Sequence, residues 1–257
     1  MERKNFAVLC AAVLCFWLFA LALGTAEGVG LRAVMHPEER AVSADVEETA
    51  EVILLPAAVA APQLDLNCRA AILIEQGSGR VLYEKNADER VPIASITKVM
   101  TCLLTLEAVD RGELSLEQTV TASSALHTGI GEGASTADIK EGEQIRIIDL
   151  LYAALIPSAN EACNVMAEAV SGDVASFVEL MNTRAAELGM EDTHFSNTHG
   201  YHDDDHYTSA YDIYLMCREA MKHETFRTIV GSKNYTMPAT NLHPEPRIIR
   251  STNALIS

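Results

Sequence analysis

The chain is organised around the stretch Pro92-Ile93-Ala94-Ser95-Ile96-Thr97-Lys98, which runs into Val99-Met100-Thr101-Cys102-Leu103-Leu104. A proline precedes small and hydroxylated residues, and apolar residues at helical spacing continue to about Val109, which predicts a helix that begins here. Residues three apart on a helix share a face, with Cβ atoms about 5–6 Å apart. Ser95 and Lys98 are therefore expected to point the same way.

Ser95 and Lys98 have the residue types of a nucleophile and its base. A serine hydroxyl is a weak nucleophile until a base removes its proton, and lysine can be that base if burial lowers its pKa enough to leave it neutral. The alternative is an exposed pair on an ordinary helix, since such a spacing also arises by chance. Burial of this helix is favoured by the apolar residues at positions 99, 100, 103, 104 and 106.

Length and composition allow one large domain or two small ones. The chain has 257 residues, of which 49% are hydrophobic, enough for a sizeable core. Its formal net charge is −17, so no basic surface is expected that could neutralise phosphates, and nucleic acid is not an expected partner. The same charge disfavours tight electrostatic adhesion to anionic lipid.

The first 26 residues have the pattern of a secretory signal peptide. Arg3 and Lys4 supply a positive start, Phe6 to Leu23 form an uncharged apolar core, and small residues at 24–26 suit cleavage. The apolar core is near the lower limit for a membrane span, so an uncleaved anchor, and with it membrane association, stays an alternative. In both cases the rest of the chain is expected on the extracytoplasmic or periplasmic side of the cell envelope.

Residues 27–62 are acidic and then contain alanine and proline without sustained periodicity, which predicts a linker. The folded domain is expected over residues 63–257. It should open with a β-hairpin, because 70–74 and 80–84 have strand character and Gly77-Ser78-Gly79 is a turn signal.

Further helices are predicted from apolar periodicity and its terminators. Pro157 should break one helix, Gly189 should cap another, and Ser209 with Asp212 has the spacing of a capping box. The predicted helices span 147–156, 161–170, 173–188, 208–222 and 225–230, and short strands are expected at 118–122 and 233–237.

The cysteines outside the signal segment are far apart and form no CxxC pattern. Cys102 and Cys163 lie in apolar helical contexts, where buried free thiols are the default expectation. The sequence leaves a disulfide open, because it cannot pair Cys68, Cys102, Cys163 and Cys217.

Ser95-x-x-Lys98 is followed by Ser158-Ala159-Asn160 in a proline-broken loop between two predicted helices. Together these motifs resemble those of the serine D-alanyl-D-alanine carboxypeptidases, the low-molecular-mass penicillin-binding proteins, over roughly residues 64–257. The similarity extends to residues 71–74, 79–87, 93–101, 140–143, 149–152, 157–162, 200–203 and 206–212. Two other Ser-x-Asn tripeptides, at 232–234 and 251–253, lie at a strand approach and near the chain end and are expected to be structural or incidental.

The resemblance implies an α/β (α+β) fold of the penicillin-binding-protein and β-lactamase-like transpeptidase type, with an antiparallel sheet flanked by helices and a helical subdomain. It implies that Ser95 forms an acyl-enzyme, that Lys98 is its base, that Ser158 relays a proton to the departing amine, and that Asn160 binds the substrate amide and orients Lys98. The backbone N–H of Ser95 would supply half an oxyanion hole. The implied substrates are peptidoglycan pentapeptide stems and the implied inhibitors are β-lactams, with no cofactor and no metal.

The family's third motif, Lys-Thr-Gly, is expected after Ser158 on a strand of the central sheet. His127-Thr128-Gly129 resembles it but precedes Ser158, so we interpret it as a chance match. The expectation is that the domain is C-terminally incomplete, with the motif and the late sheet strands missing, so that the 257-residue chain alone is inactive.

Three alternatives stay open at this point. Ala159 stands where class A β-lactamases usually carry aspartate, which disfavours but does not remove a β-lactamase-like enzyme. An inactive penicillin-binding or sensor module is the second alternative. The third is a zinc site in an acidic, histidine-rich segment, residues 193–207, although the family carries similar histidines without a metal. Its candidate ligands are His199, His202, Asp203, Asp204, Asp205 and His206.

Overall fold

The computed structural model describes residues 64–256. The expected signal peptide at 1–26 and linker at 27–62 lie outside the described residues, as does Ser257. No helix within 64–256 combines the length and the apolar character that a membrane crossing requires.

The described domain opens with the expected hairpin. Strand β1 (Ala71–Ile74) pairs antiparallel with β2 (Val81–Lys85), with Ala71 opposite Lys85. The connecting turn is held by the Glu75 carboxylate, which accepts hydrogen bonds from the backbone N–H groups of Gly77 and Ser78. The hydrogen bond from the Ser78 hydroxyl group contributes most, and together with the two backbone hydrogen bonds it lowers the pKa of Glu75 to about 2, so the turn keeps its acceptor in the ionised form.

The helices confirm the expected pattern, and their boundaries differ from the predicted ranges by no more than two residues. Local capping explains several ends: the side chains of Asp173 and Ser209 accept N–H bonds at two helix starts, and Gly172 ends a helix at φ 83°. The helices are α1 (Thr97–Asp110), α2 (Ile147–Leu155), α3 (Asn160–Ser171), α4 (Val174–Glu187), α5 (Ala210–Ala220) and α6 (Glu224–Val230).

All described strands pair antiparallel, in four two-stranded sheets. Besides the hairpin, these are β3 (Val91–Pro92) with β6 (Tyr207–Thr208), β4 (Thr119–Thr121) with β5 (Gln144–Arg146), and β7 (Asn234–Met237) with β8 (Arg247–Arg250).

Strand β8 is not predicted by the sequence. Its two apolar residues are adjacent and do not alternate with polar ones; Ile249 is buried, whereas Ile248 is exposed. Pairing with β7, rather than a sequence period, therefore defines this strand.

Helix α1 lies at the centre of the core, which confirms the expected burial. It packs against α3 and α5 and is covered on nearly all sides, so that ten of its residues are buried. The thiols of Cys102 and Cys163 are free and fully buried, as expected, and Cys68 and Cys217 are free as well. A polar side chain on α1 therefore needs a partner within the protein.

Candidate active site

Ser95 lies on a 3₁₀ turn, Ala94–Ile96, that leads directly into α1. The α-helix itself begins two residues after Ser95, at Thr97, and Ala94, which precedes the serine, has a left-handed backbone conformation with φ 50°. Ser95 is partly exposed, whereas Lys98, one turn further along, is buried.

Lys98 is brought to Ser95 by the i, i+3 spacing that the sequence predicts. Its side chain is buried, with 2% of the residue exposed, and Nζ lies 3.0 Å from Ser95 Oγ. Nζ also donates a 2.7 Å hydrogen bond to the backbone carbonyl of His199. The amine is thus held between the serine and a carbonyl oxygen, and no carboxylate within residues 64–256 is a direct partner.

Burial lowers the pKa of Lys98 below its ordinary value of 10.5. The carboxylate of Glu161, at the start of α3, opposes this by favouring the charged amine. The neighbouring thiols contribute no negative charge at neutral pH, because burial raises the pKa of Cys163 to about 12 and that of Cys102 well above 9.0. Desolvation therefore dominates, and it moves Lys98 towards the neutral form that a base requires.

Ser158 stands between α2 and α3 in a strained conformation. Its φ is 67°, in the left-handed region that residues other than glycine rarely adopt. Its Oγ is buried and has no hydrogen-bond partner among the described residues. A strained residue with a buried, unsatisfied hydroxyl group is typical of a functional site, where a ligand can supply the missing partner.

Asn160 begins α3 and is buried, and its backbone N–H donates to the carbonyl of Ser135. Because α3 packs against α1 and the Glu161 carboxylate favours the charged form of Lys98, this end of α3 lies near the lysine. The hydrogen-bond partners of Lys98 are Ser95 and His199, and Asn160 is not one of them. The predicted role of Asn160 in orienting Lys98 stays a prediction.

The acidic, histidine-rich segment docks along α1 through three buried hydrogen bonds. Thr97 Oγ1 lies 2.6 Å from His206 Nε2, Lys98 reaches the His199 carbonyl, and Thr101 Oγ1 donates to the Thr198 carbonyl at 2.6 Å. The sequence does not predict these three contacts. Two of the three acceptors are backbone carbonyl groups, which every type of residue carries.

His127 is the last residue of a 3₁₀ helix (Ser124–His127), and Thr128 and Gly129 form the turn that follows, so the tripeptide is not on a strand. The Thr128 carbonyl accepts from Asn164 Nδ2 at 2.9 Å and lies 3.2 Å from His199 Nε2. Thr128 thus contributes a backbone acceptor to the segment that holds Lys98. The interpretation of the tripeptide as a chance match to the third motif stays a prediction.

The proposed zinc ligands do not converge in the described part of the chain, where no group of three or more histidine, cysteine or acidic side chains is placed to hold a metal ion. His202 and Asp204 pair at 3.5 Å on the surface. His199 and His206 instead point inward, and burial lowers the pKa of each to about 4, so both rings are neutral at neutral pH.

The profile of the D-alanyl-D-alanine carboxypeptidase family, peptidase family S11, matches residues 57–254. Among curated relatives, the D-alanyl-D-alanine carboxypeptidase DacF of Bacillus subtilis is 38% identical over 170 residues, which are 66% of this chain and 43% of that protein. DacC of Escherichia coli is 37% identical over 161 residues, 62% of this chain and 40% of that protein. The chain spans about two-fifths of the length of these relatives.

Two solved structures confirm the expected penicillin-binding-protein fold. The Streptomyces K15 DD-transpeptidase aligns with a TM-score of 0.66 at 30% identity, over 72% of this chain and 74% of that one. Penicillin-binding protein 6B of Escherichia coli aligns with a TM-score of 0.67 at 26% identity, over 77% of this chain and 62% of that one.

Proposed function

Because the chain belongs to the D-alanyl-D-alanine carboxypeptidase family, peptidase family S11, we propose that its protein removes the terminal D-alanine from peptidoglycan stem peptides. The observation that carries this proposal is that the amine of buried Lys98 lies 3.0 Å from the hydroxyl group of Ser95, a residue that is itself partly exposed. A desolvated lysine next to a serine is the arrangement that activates a hydroxyl nucleophile without histidine.

The reaction would run through an acyl-enzyme on Ser95. Neutral Lys98 takes the hydroxyl proton as Oγ attacks the carbonyl carbon of the penultimate D-alanine, and the Ser95 backbone N–H donates to the developing oxyanion. The C–N bond to the terminal D-alanine breaks, and the leaving amine takes a proton that Ser158 relays. Water then hydrolyses the ester, which restores Ser95, while Asn160 binds the substrate amide.

A β-lactam offers the same nucleophile a strained amide. Attack by Ser95 opens the ring, but the leaving nitrogen stays tethered, so the acyl-enzyme persists and β-lactams act as inhibitors. Peptidoglycan stems lie outside the cytoplasmic membrane, so the proposed function places the protein on the extracytoplasmic side of the envelope.

The test is to treat the full-length protein with a fluorescent penicillin and to map the adduct by peptide mass spectrometry. We expect one adduct, on Ser95, and none in the Ser95→Ala variant, while Ser232→Ala labels like the wild type. An adduct on Ser158 would reverse the roles proposed for the two serines. Release of D-alanine from diacetyl-Lys-D-Ala-D-Ala then separates a carboxypeptidase from a sensor module, which would be acylated without turnover.

The pH dependence of acylation should report Lys98. Its neutral fraction rises with pH, so the acylation rate should rise until the pH passes the lowered pKa of Lys98. Glu161→Gln removes the charge that favours the protonated amine but keeps an oxygen for the Thr136 hydroxyl and the Ala137 N–H. We expect the ascending limb of the profile to move to lower pH.

The matched control for this experiment is Glu168→Gln, on the same helix, whose carboxylate accepts from the Ser123 hydroxyl. Its profile should coincide with that of the wild type. A limb that stays in place in Glu161→Gln would mean that Lys98 is not the group that titrates.

A further inference from the structure

The peptide that precedes Ser95 is strained. Ala94 has φ 50°, and a residue other than glycine in this left-handed region costs about 1–3 kcal/mol and persists only when the surrounding structure holds it. The conformation of Ala94 sets where the Ser95 side chain begins. The groups that hold the Ala94 carbonyl therefore affect the direction of the nucleophile.

Thr97 holds that carbonyl. Its Oγ1 donates a 2.7 Å hydrogen bond to the Ala94 carbonyl oxygen, and its backbone N–H donates to the same oxygen. Thr97 is fully buried, so its hydroxyl group has no water to bond instead.

His206 orients the Thr97 hydroxyl group. A backbone N–H can only donate, and the N–H of Ser196 points to His206 Nδ1 at 2.9 Å, so Nδ1 carries no proton. In the neutral ring the proton then lies on Nε2, which donates to Thr97 Oγ1 at 2.6 Å. Because Thr97 Oγ1 accepts from His206, its own proton is directed to the Ala94 carbonyl. Burial lowers the pKa of His206 to about 4, which keeps this tautomer neutral at neutral pH.

Gly200 closes the other side of the same carbonyl. A Cβ atom added to this glycine would overlap the Ala94 carbonyl oxygen, so the two backbones are in direct contact. The Ala94 carbonyl is thus confined by two hydrogen bonds from Thr97 and by the backbone of the histidine-rich segment.

We propose that His206 and Thr97 are positioning residues, which hold the strained Ala94–Ser95 peptide so that Ser95 Oγ faces Lys98. His206 is 3% exposed and makes its side-chain hydrogen bonds to Ser196 and Thr97, so it acts on Ser95 only through Thr97. The inference rests on the proposed function, in which Ser95 is the nucleophile.

Matched substitutions isolate each hydrogen bond. Thr97→Val removes the hydroxyl group at constant shape, whereas Thr97→Ser keeps it. His206→Gln can keep the donor towards Thr97, whereas His206→Asn can keep only the acceptor for Ser196. The measurement separates the binding constant for penicillin from the rate constant of Ser95 acylation in the folded protein.

We expect Thr97→Val and His206→Asn to lower the acylation rate constant by about 10²-fold, the effect of a misplacement near 1 Å, with penicillin binding little changed. Thr97→Ser and His206→Gln should recover most of the rate. An unchanged rate constant in Thr97→Val, with only a lower melting temperature, would overturn the proposal by reducing the contact to a stabilising one.

A second measurement does not depend on activity. Nitrogen NMR of the wild-type protein should show His206 protonated on Nε2 and not on Nδ1, with the ring assigned by its loss in His206→Gln. The opposite tautomer would overturn the proposal even if acylation is normal. If the wild-type protein is not acylated on Ser95, the proposed function fails, and the tautomer still decides whether the Ser196–His206–Thr97–Ala94 arrangement exists.

Discussion

Replacing Lys98 with methionine should lower the rate of Ser95 acylation by about 10²–10⁴-fold, the usual contribution of a positioned general base, without unfolding the protein. Methionine has a similar length and no charge, so it can fill the volume of the lysine side chain, of which 2% is exposed. Burial of the Lys98 amine costs free energy, and the same desolvation lowers its pKa. Methionine removes this cost, so the variant should melt at the same temperature as the wild type or higher.

The measurement is the time course of labelling by fluorescent penicillin, with the melting temperature taken on the same samples. Lys140→Met is the matched control, because Lys140 is an exposed lysine whose carboxylate partner is Asp138. It should label at the wild-type rate. Persistent labelling of Lys98→Met at a normal rate would show that lysine is not the base.

Replacing Gly200 with alanine should have the second large effect, on both stability and acylation. Gly200 has φ 85°, and an alanine held in this left-handed conformation lowers the stability of the fold by roughly 1–2 kcal/mol. The added Cβ would also overlap the Ala94 carbonyl oxygen, which belongs to the backbone and cannot rotate away. Forcing such a contact typically costs a further ~1–3 kcal/mol and would displace the Ser95 turn.

Gly172→Ala separates the two contributions. Gly172 has φ 83°, and a Cβ atom there would meet nothing within 4 Å, so this variant carries the backbone strain alone. We expect it to lose roughly 1–2 kcal/mol in urea unfolding and to acylate normally when folded. Gly200→Ala should lose more stability and acylate about 10²-fold more slowly. If the two variants lost the same amount of stability and acylated at the same rate, the contact between Gly200 and Ala94 would not be rigid.

The sequence predicts the elements that are stabilised by contacts between residues close together in the chain. The hairpin turn bonds to Glu75 within three residues, and the start of α5 is capped by Ser209 on the N–H of Asp212. The approach of Lys98 to Ser95 follows from one helical turn. Each of these contacts joins residues whose types and spacing can be recognised directly.

Tertiary structure alone decides how the site is held. Lys98 bonds to a backbone carbonyl 101 residues away, and Thr97 meets His206 across 109 residues. Likewise, only the packed structure leaves the Ser158 hydroxyl group buried with no partner in the described part of the chain. A carbonyl group is present in every residue, and burial depends on the whole fold, so no local pattern marks these contacts. The sequence predicts which residues would react, whereas the packing of the histidine-rich segment on α1 sets the environment of Lys98 and, as we propose, the direction of Ser95.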